Sequence, residues 1–524
     1  MGEHTLRVFY LNPSSSIGKL WLVVDTCMSN AFKTLAISVL IVLVLVDVSG
    51  SRSKTTRSER LDTLSRDEQR LARFEKQADE LRTLLKIPGI SAVIVKDQKV
   101  LWAKGFGFAD FENRVPATPD TLYSIASLTK TFAATLVMQL VEQGKLDLDE
   151  PMSHYSTDFK NDSVKVKHLL SHTSAGPTPG DRYEYDGDQY NYLTAVIEKK
   201  TGKPFREVMV ETFLDPWQMA SSVPGQTVVD EADKWAPVLG KDNLKRYATD
   251  LSRLSQPYTL YGDSEVVHVP YPPKKFFGAA AGLLSTVLDL AKFDIAIDRH
   301  RFLKKETQEK AWTNFVSNSG QRLPHGLGWF ITDYHGIKLI WHYGHWGTGF
   351  SAIYLKVPEK NLSLIILANS EALADHQFQV GQGDIANNVF ACNFLRLFVV
   401  EDMPGRRLPD DCESNSQMAL SKWREERRKQ ARVVIQVDPK ILEAYVGQYF
   451  FDAPVNQTLT VTRESSKLFV DIPLNQKTEM FAESESKFFL KIRPIQLTFI
   501  RTEGKVTHMD FLQYGQTLRA KKIK

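Results

Sequence analysis

The sequence predicts an α+β chain: an antiparallel sheet flanked by helices, followed by a small C-terminal all-β barrel. Three observations predict it. Short β-rich runs follow one another across tight turns, at residues 90–103 and again at 328–367, as in hairpins and meanders. Between them lie stretches with helical spacing, such as Phe132, Leu136, Leu140 and Val141 ahead of Gly144. Beyond residue 442 the pattern turns β again, with turns every ~8–12 residues, as in a small barrel or sandwich. Sheets and helices of this kind bury their apolar faces against each other.

The 524 residues are too many for one small domain. The expected divisions are a leader at 1–51, a main domain at 52–402, a linker at 403–435 and a β domain at 436–524. Apolar residues make up 43% and charged residues 24%, ordinary for a globular chain. A net charge of +4 is slight at this length and offers no electrostatic case for nucleic acid. The three cysteines lie far apart and form no metal spacing, and no cofactor motif is seen. Cys392 and Cys412 pair in an oxidising compartment or stay as two buried thiols.

Leu35–Val46 is almost wholly apolar, yet shorter than the ~20 residues a membrane span needs. It reads as the core of a signal peptide, with Lys33 before it, small residues near Gly50 after it, and Met28 as a natural start. Arg52, Lys54, Arg57 and Arg60 follow the core and favour retention, so membrane attachment through residues 34–48 is the alternative. The expected location is exported, periplasmic or extracellular, or membrane-anchored.

Ser65 and Glu68 form a capping box ahead of a helix with Leu71, Phe74, Ala78, Leu81 and Leu85 in one stripe. Ile90–Val95 and Val100–Ala103 flank Asp97-Gln98 as a hairpin at the edge of a sheet. The chain then enters Tyr123–Gly144, which holds Ser127-Leu128-Thr129-Lys130. Residues three apart share a helical face, so the lysine amine can reach the serine oxygen, and the helix N-terminus favours a developing oxyanion. Alone, S-x-x-K is more readily an accident of an amphipathic helix than a catalyst.

Val166–Gly176, "VKHLLSHTSAG", is a short helix ending in a polar loop. Asp186-Gly187-Asp188 marks a turn, with a helix from Tyr190 to Lys200 and Gly202 past its end. Residues 220–275 carry no clear signal. Gly278–Ile297 gives a small-residue turn and then a helix with Asp289 in its first turns. Four β-like segments follow, near Gly328–Thr332, Ile337–His342, Phe350–Leu355 and Leu362–Leu367. Gly344-His345-Trp346-Gly347-Thr348-Gly349 lies between the second and third. Glycines there let a ligand come close to the backbone, or simply make a bulge with a surface histidine. The run "KWREERRKQAR" reads as a solvated face of a linker or connecting helix.

In this order, these segments resemble the serine β-lactamase and penicillin-binding-protein superfamily, in its class-C-like branch of esterases, D-aminopeptidases and D-Ala-D-Ala carboxypeptidases. The likeness covers roughly residues 85–400. "SLTK" at Ser127–Lys130 matches the nucleophile motif, and "LLSHTSAG" at Leu169–Gly176 the LLxHTSG segment. "YDG" at Tyr185–Gly187 falls where the branch has Tyr-x-Asn, and "HWG" at His345–Gly347 where it has Lys-Thr-Gly or His-x-Gly. The tail, Leu442–Ile523, resembles the lipocalin-like barrel that often follows such a domain.

The resemblance implies a β-lactamase/transpeptidase-like fold and a serine hydrolase that cleaves an ester or amide through an acyl-enzyme on Ser127. It implies Lys130 or Tyr185 as base, with Tyr185 otherwise the proton relay. The Ser127 and Thr348 backbone N–H groups form the oxyanion hole. His345 lines the leaving-group or carboxylate side, and Gly187, Trp346 and Gly347 border the substrate. No metal or cofactor is needed, and the partner is a small ester, amide or D-peptide. Gly187 stands where an asparagine amide holds an acyl-amide substrate, so esters and peptides fit better than β-lactams. A catalytically decayed binding protein is the alternative reading, and a membrane-tethered partner-binding protein a third.

Overall fold

The computed structural model describes residues 65–271, 276–402, 411–453, 455–471, 477–513 and 515–524. The apolar leader segment at 35–46 and the first part of the linker, 403–410, lie outside the described residues. Among the described residues no helix is long and apolar enough to cross a membrane.

The expected fold class is the one observed. A seven-stranded sheet is built from β1 (Gly89–Lys96), β2 (Lys99–Asp110), β3 (Val115–Pro116), β4 (Phe330–Tyr334), β5 (Ile337–Trp346), β6 (Phe350–Val357) and β7 (Leu362–Ala368). Its order is β3-β2-β1-β7-β6-β5-β4, antiparallel throughout. The hairpin turns at Asp97 and Gln98, whose φ angles of 51° and 60° are those of a type I′ turn and match the strand twist. Of the two hairpin strands, β2 lies next to the sheet edge, bordered by two-residue β3; β1 sits inside, zipped to β7 from Ile90 opposite Ala368 to Lys96 opposite Leu362. That central place explains why β1 is apolar from Ile90 to Val95 but for the buried, hydrogen-bonded Ser91, with buried residues on both faces.

Two cores form, one on each face of the sheet. Ile90, Ala92 and Ile94 enter one, and Val93 and Val95 the other, as the strand period of two requires. The first core is covered by α1 (Arg66–Leu84), α4 (Val389–Phe398) and α5 (Asp411–Gln430), which bury Phe74, Phe394, Phe398 and Trp423. The Ser65–Glu68 capping box ahead of α1 forms, with Ser65 N–H on Glu68 Oε2 at 2.8 Å and Glu68 N–H on Ser65 Oγ at 3.3 Å. The second core is covered by α2 (Thr129–Glu142) and α3 (Val287–Asp298), where Phe132 stacks on Phe293 at 3.8 Å. Each fully buried aliphatic or aromatic side chain contributes about 1.5–3 kcal/mol, so these two layers hold the site in place.

The charged run of α5 is not wholly a solvated face. Trp423 and Arg427 turn inward, and a disulfide from Cys412 to Cys392 ties α5 to α4. The Arg427 guanidinium donates to Leu260 O at 2.6 Å, Glu371 Oε1 at 2.9 Å and Asp375 Oδ2 at 3.2 Å. Both carboxylates are buried, and removing one partner of a buried ion pair strands the other. Arg427→Met is therefore expected to cost about 3–5 kcal/mol, read as a lower denaturant midpoint at unchanged slope. A variant as stable as the parent would show that water already reaches these carboxylates.

Eight strands, from Gly447–Phe451 to Gln516–Lys522, close in chain order into a barrel. Its interior is filled by Tyr449, Val461, Leu468, Val470, Leu497 and Met509, all fully buried. It docks on the hairpin Tyr258–Tyr261/Glu265–His268, where Tyr261 stacks on Phe489 and Lys491 pairs with Glu265 at 2.7 Å.

Candidate active site

Ser127 lies in a 3₁₀ turn, Ala126–Leu128, that leads directly into α2. It is half-buried between the buried Ala126 and Leu128. Ala126 has φ of +46°, a left-handed conformation that costs a non-glycine residue of order 1–3 kcal/mol. Surrounding bonds enforce it: Thr129 Oγ1 donates to Ala126 O at 2.8 Å and accepts from Leu283 N–H at 3.2 Å. From below, β5 presses on the same turn. A Cβ on Gly344 would lie 2.3 Å from Ile125 O, so only glycine lets the strand come this close. The glycine of this strand thus admits the protein's own backbone.

Lys130 is 1% exposed, and its Nζ is 3.0 Å from Ser127 Oγ while donating to Ala280 O at 2.9 Å. Burial pushes its pKa from the ordinary lysine value down to about 7, against the opposing pull of Asp186 and Asp188. The amine therefore spends much of its time neutral near pH 7. With one N–H on Ala280 O, its lone pair is free to face the serine hydroxyl. The Lys130 ammonium position also lies 5.1 Å from the Tyr185 ring and 5.3 Å from the Tyr190 ring. Tyr190 Oη donates to the Lys130 carbonyl at 3.1 Å.

The Tyr185 hydroxyl is buried beside Ser127 and Tyr343, without a well-aligned hydrogen bond to either. Burial, then the nearby Tyr343, raise its pKa well above the ordinary phenol value, while Ser127 beside it works in the opposite direction. Gly187 is not in a free turn. It opens the short helix Gly187–Asn191, with Asp186 as N-cap accepting from Gln189 N–H at 2.9 Å. The Asp186 carboxylate is thereby committed to the helix. A Cβ on Gly187 would stand 3.8 Å from Lys130 Nζ, ordinary contact, so the place for a side chain exists and is left open.

Ser127, Lys130, Tyr185 and Gly187 thus come together. His345, Trp346, Gly347 and Thr348 occupy the end of β5 and the turn after it, where His345 pairs with Ser351 and Trp346 with Phe350. His345 does not join Lys130. Its charged neighbours are Asp375, Glu371, His376 and Arg427, and burial lowers its pKa ahead of any of them. Sequence reasoning missed Ala280, which holds Lys130, and His172, His325 and His342, which surround it. His172 stood in view within "LLSHTSAG"; Ala280 O is a backbone atom and leaves no residue signature. Among the described residues no cluster of His, Cys, Asp and Glu is placed to hold a metal.

A family model described as Beta-lactamase matches residues 74–382, more than half of the chain. The chain belongs to the beta-lactamase family. A second model, a domain of unknown function (DUF3471), matches residues 431–522, the barrel. A penicillin-binding protein of Bacillus subtilis (strain 168) is 22% identical over 457 residues, covering 79% of this chain and 90% of that protein. Protein flp of Staphylococcus aureus (strain MW2) is 27% identical over 326 residues, 54% of this chain and 60% of that one. The octameric penicillin-binding protein homologue from Pyrococcus abyssi is similar in structure, with a TM-score of 0.53 and 22% identity over 86% of this chain and all of that one. At that identity the likeness is one of fold. In this member of the beta-lactamase family the Ser127 hydroxyl meets the Lys130 amine, the Tyr185 ring lies 5.1 Å from that amine, and Gly187 opens the helix beside them.

Proposed function

We propose that this chain is a serine hydrolase that cleaves an ester or amide through an acyl-enzyme on Ser127. The observation that carries the reading is the hydroxyl of half-buried Ser127, 3.0 Å from a buried lysine amine. Neutral Lys130 takes the Ser127 proton as Oγ attacks the acyl carbon. The carbonyl oxygen becomes an oxyanion facing the Ser127 and Thr348 N–H groups; losing one such donor typically costs on the order of 10²–10³ in rate. The proton on Lys130 passes through the Tyr185 hydroxyl to the leaving oxygen or nitrogen, and the C–O or C–N bond breaks. Water then attacks the acyl-enzyme by the same route in reverse. A tyrosine whose pKa is raised is suited to relay a proton rather than to be the base, which favours Lys130 for that role.

Gly187 directs the choice of substrate. It offers no amide to hold an acyl-amide group, and Asp186 is occupied as a helix cap. Losing one hydrogen-bond partner of this kind costs about 1–3 kcal/mol. Short acyl esters, and small peptides with a D-residue, are therefore expected to exceed cephalosporins in kcat/KM. Gly187→Asn, which has room at 3.8 Å from Lys130 Nζ, is expected to raise the cephalosporin-to-ester ratio. A parent enzyme that prefers the cephalosporin by more than tenfold would overturn this substrate class. Gly187 is also the one feature that favours a decayed binding protein, and failure of a fluorophosphonate probe to label the parent chain would decide for that reading.

A further inference from the structure

The polar end of Tyr185 is weakly held, because its hydroxyl is buried beside Ser127 and Tyr343 without a well-aligned hydrogen bond to either. Its position is set by the backbone on either side and by the ring beneath. One residue supplies all three. The His172 carbonyl accepts from Glu184 N–H at 2.8 Å, and His172 Nδ1 accepts from Asp186 N–H at 3.1 Å, so Tyr185 is held between two bonds to the same histidine. The His172 ring lies flat against Tyr185 at 4.3 Å and against Tyr190 at 5.1 Å. His172 is itself 1% exposed and fixed in a left-handed conformation, φ 54°.

The bond from Asp186 decides the tautomer. An Nδ1 that accepts carries no proton, so the proton of the neutral ring is on Nε2. His325 and His342 are the reverse. Their Nδ1 atoms lie 2.9 Å from Gly326 O and 2.7 Å from Tyr343 O, which makes Nδ1 the donor and leaves Nε2 bare. The rings stand close, 5.0 Å from His172 to His325 and 6.0 Å from His325 to His342, and all three Nε2 atoms are buried without a partner. Burial and the charge of Lys130 oppose protonation of all three rings, and neighbouring histidines oppose that of His172 and His342, outweighing the backbone groups of Asp186, Gly326, Leu170 and Tyr343 that favour it.

We propose that His172 is a positioning residue for Tyr185, held as the neutral Nε2–H tautomer by Asp186 N–H and backed by the neutral pair His325 and His342. It aims the Tyr185 hydroxyl at the serine and lysine without touching substrate. A ring of the same size without Nδ1 would leave Asp186 N–H unpaired and free the loop; an acceptor without a ring would remove the platform. The inference rests on the acyl-transfer role proposed for Tyr185.

The test is a cycle with an activated ester as substrate. His172→Phe keeps the ring and His172→Asn keeps an acceptor near Nδ1. Each is expected to lower kcat roughly 10- to 100-fold with KM within about twofold, the scale of a misplaced catalytic group. In a Tyr185→Phe background the same changes should cost nothing more. A costly Tyr185→Phe with the full His172 loss still added on top overturns the positioning role alone. A harmless Tyr185→Phe overturns the role of Tyr185 itself, and with it the reason to position it. Should both variants fail to fold, the parent protein still answers: ¹⁵N shifts of labelled histidines should show one Nε2–H tautomer, at His172, beside two Nδ1–H tautomers. A His172 protonated on Nδ1 overturns the proposal.

Discussion

Ser127→Ala is expected to abolish covalent labelling by a fluorophosphonate probe and to lower kcat for an activated ester by on the order of 10⁴–10⁶. The size of the effect follows from the role. The nucleophile acts as one unit with its base, so removing it forfeits the whole covalent route, and only binding and the oxyanion donors remain. The fold should hardly notice. Ser127 is half-buried, and its hydroxyl touches Lys130 Nζ, which keeps its bond to Ala280 O when the serine is gone. One modest hydrogen bond is lost, about 1 kcal/mol. The thermal midpoint and near-ultraviolet dichroism should therefore match the parent. Labelling that survives in a folded Ser127→Ala protein would move the nucleophile elsewhere.

What was legible in the sequence is what depends on local spacing. Ser127 and Lys130 are three apart, and α2 brings them together as any helix would. The meander of β4 to β7 was legible because consecutive strands leave their turns in the sequence, and the barrel because half-buried strands alternate. Residues 220–275 were not. Their helices, Ala232–Leu239 and Lys241–Leu251, are short, meet at Gly240, and the first contains Pro237. These features weaken propensity, and packing of Trp235, Leu244 and Tyr247 overrides it. The same limit applies inside the site. That Lys130 is buried depends on residues 150 positions away, where Ala280 O meets its amine. That His345 answers to Glu371, Asp375 and Arg427 depends on the segment after β7 supplying the two carboxylates and on α5 bringing Arg427 to them. No periodicity in the chain encodes either contact.

Lys130 and Tyr185 should fail together. Lys130→Ala and Tyr185→Phe are each expected to lower kcat/KM for an activated ester by roughly 10²–10⁴, the range of general acid–base catalysis. If Lys130 collects the proton that Tyr185 delivers, the double variant should lose about as much as the worse single one, not the product. Fully multiplied losses would show two separate steps. The pH dependence carries its own sign. Only the neutral amine can accept the serine proton, so kcat/KM of the parent should rise with pH through about 7 and level off above it. Stability should move the same way. The unfolded lysine keeps its proton up to the ordinary value of 10.5 whereas the folded one gives it up near 7, so between these the unfolded state binds more protons and folding strengthens as pH rises. Lys130→Ala should remove both the activity limb and this stability slope. A limb near pH 7 that persists in the folded variant would assign it to another group; the buried histidines are poor candidates, since burial holds His325 down at about 3 and His172 and His342 well below the usual imidazole range.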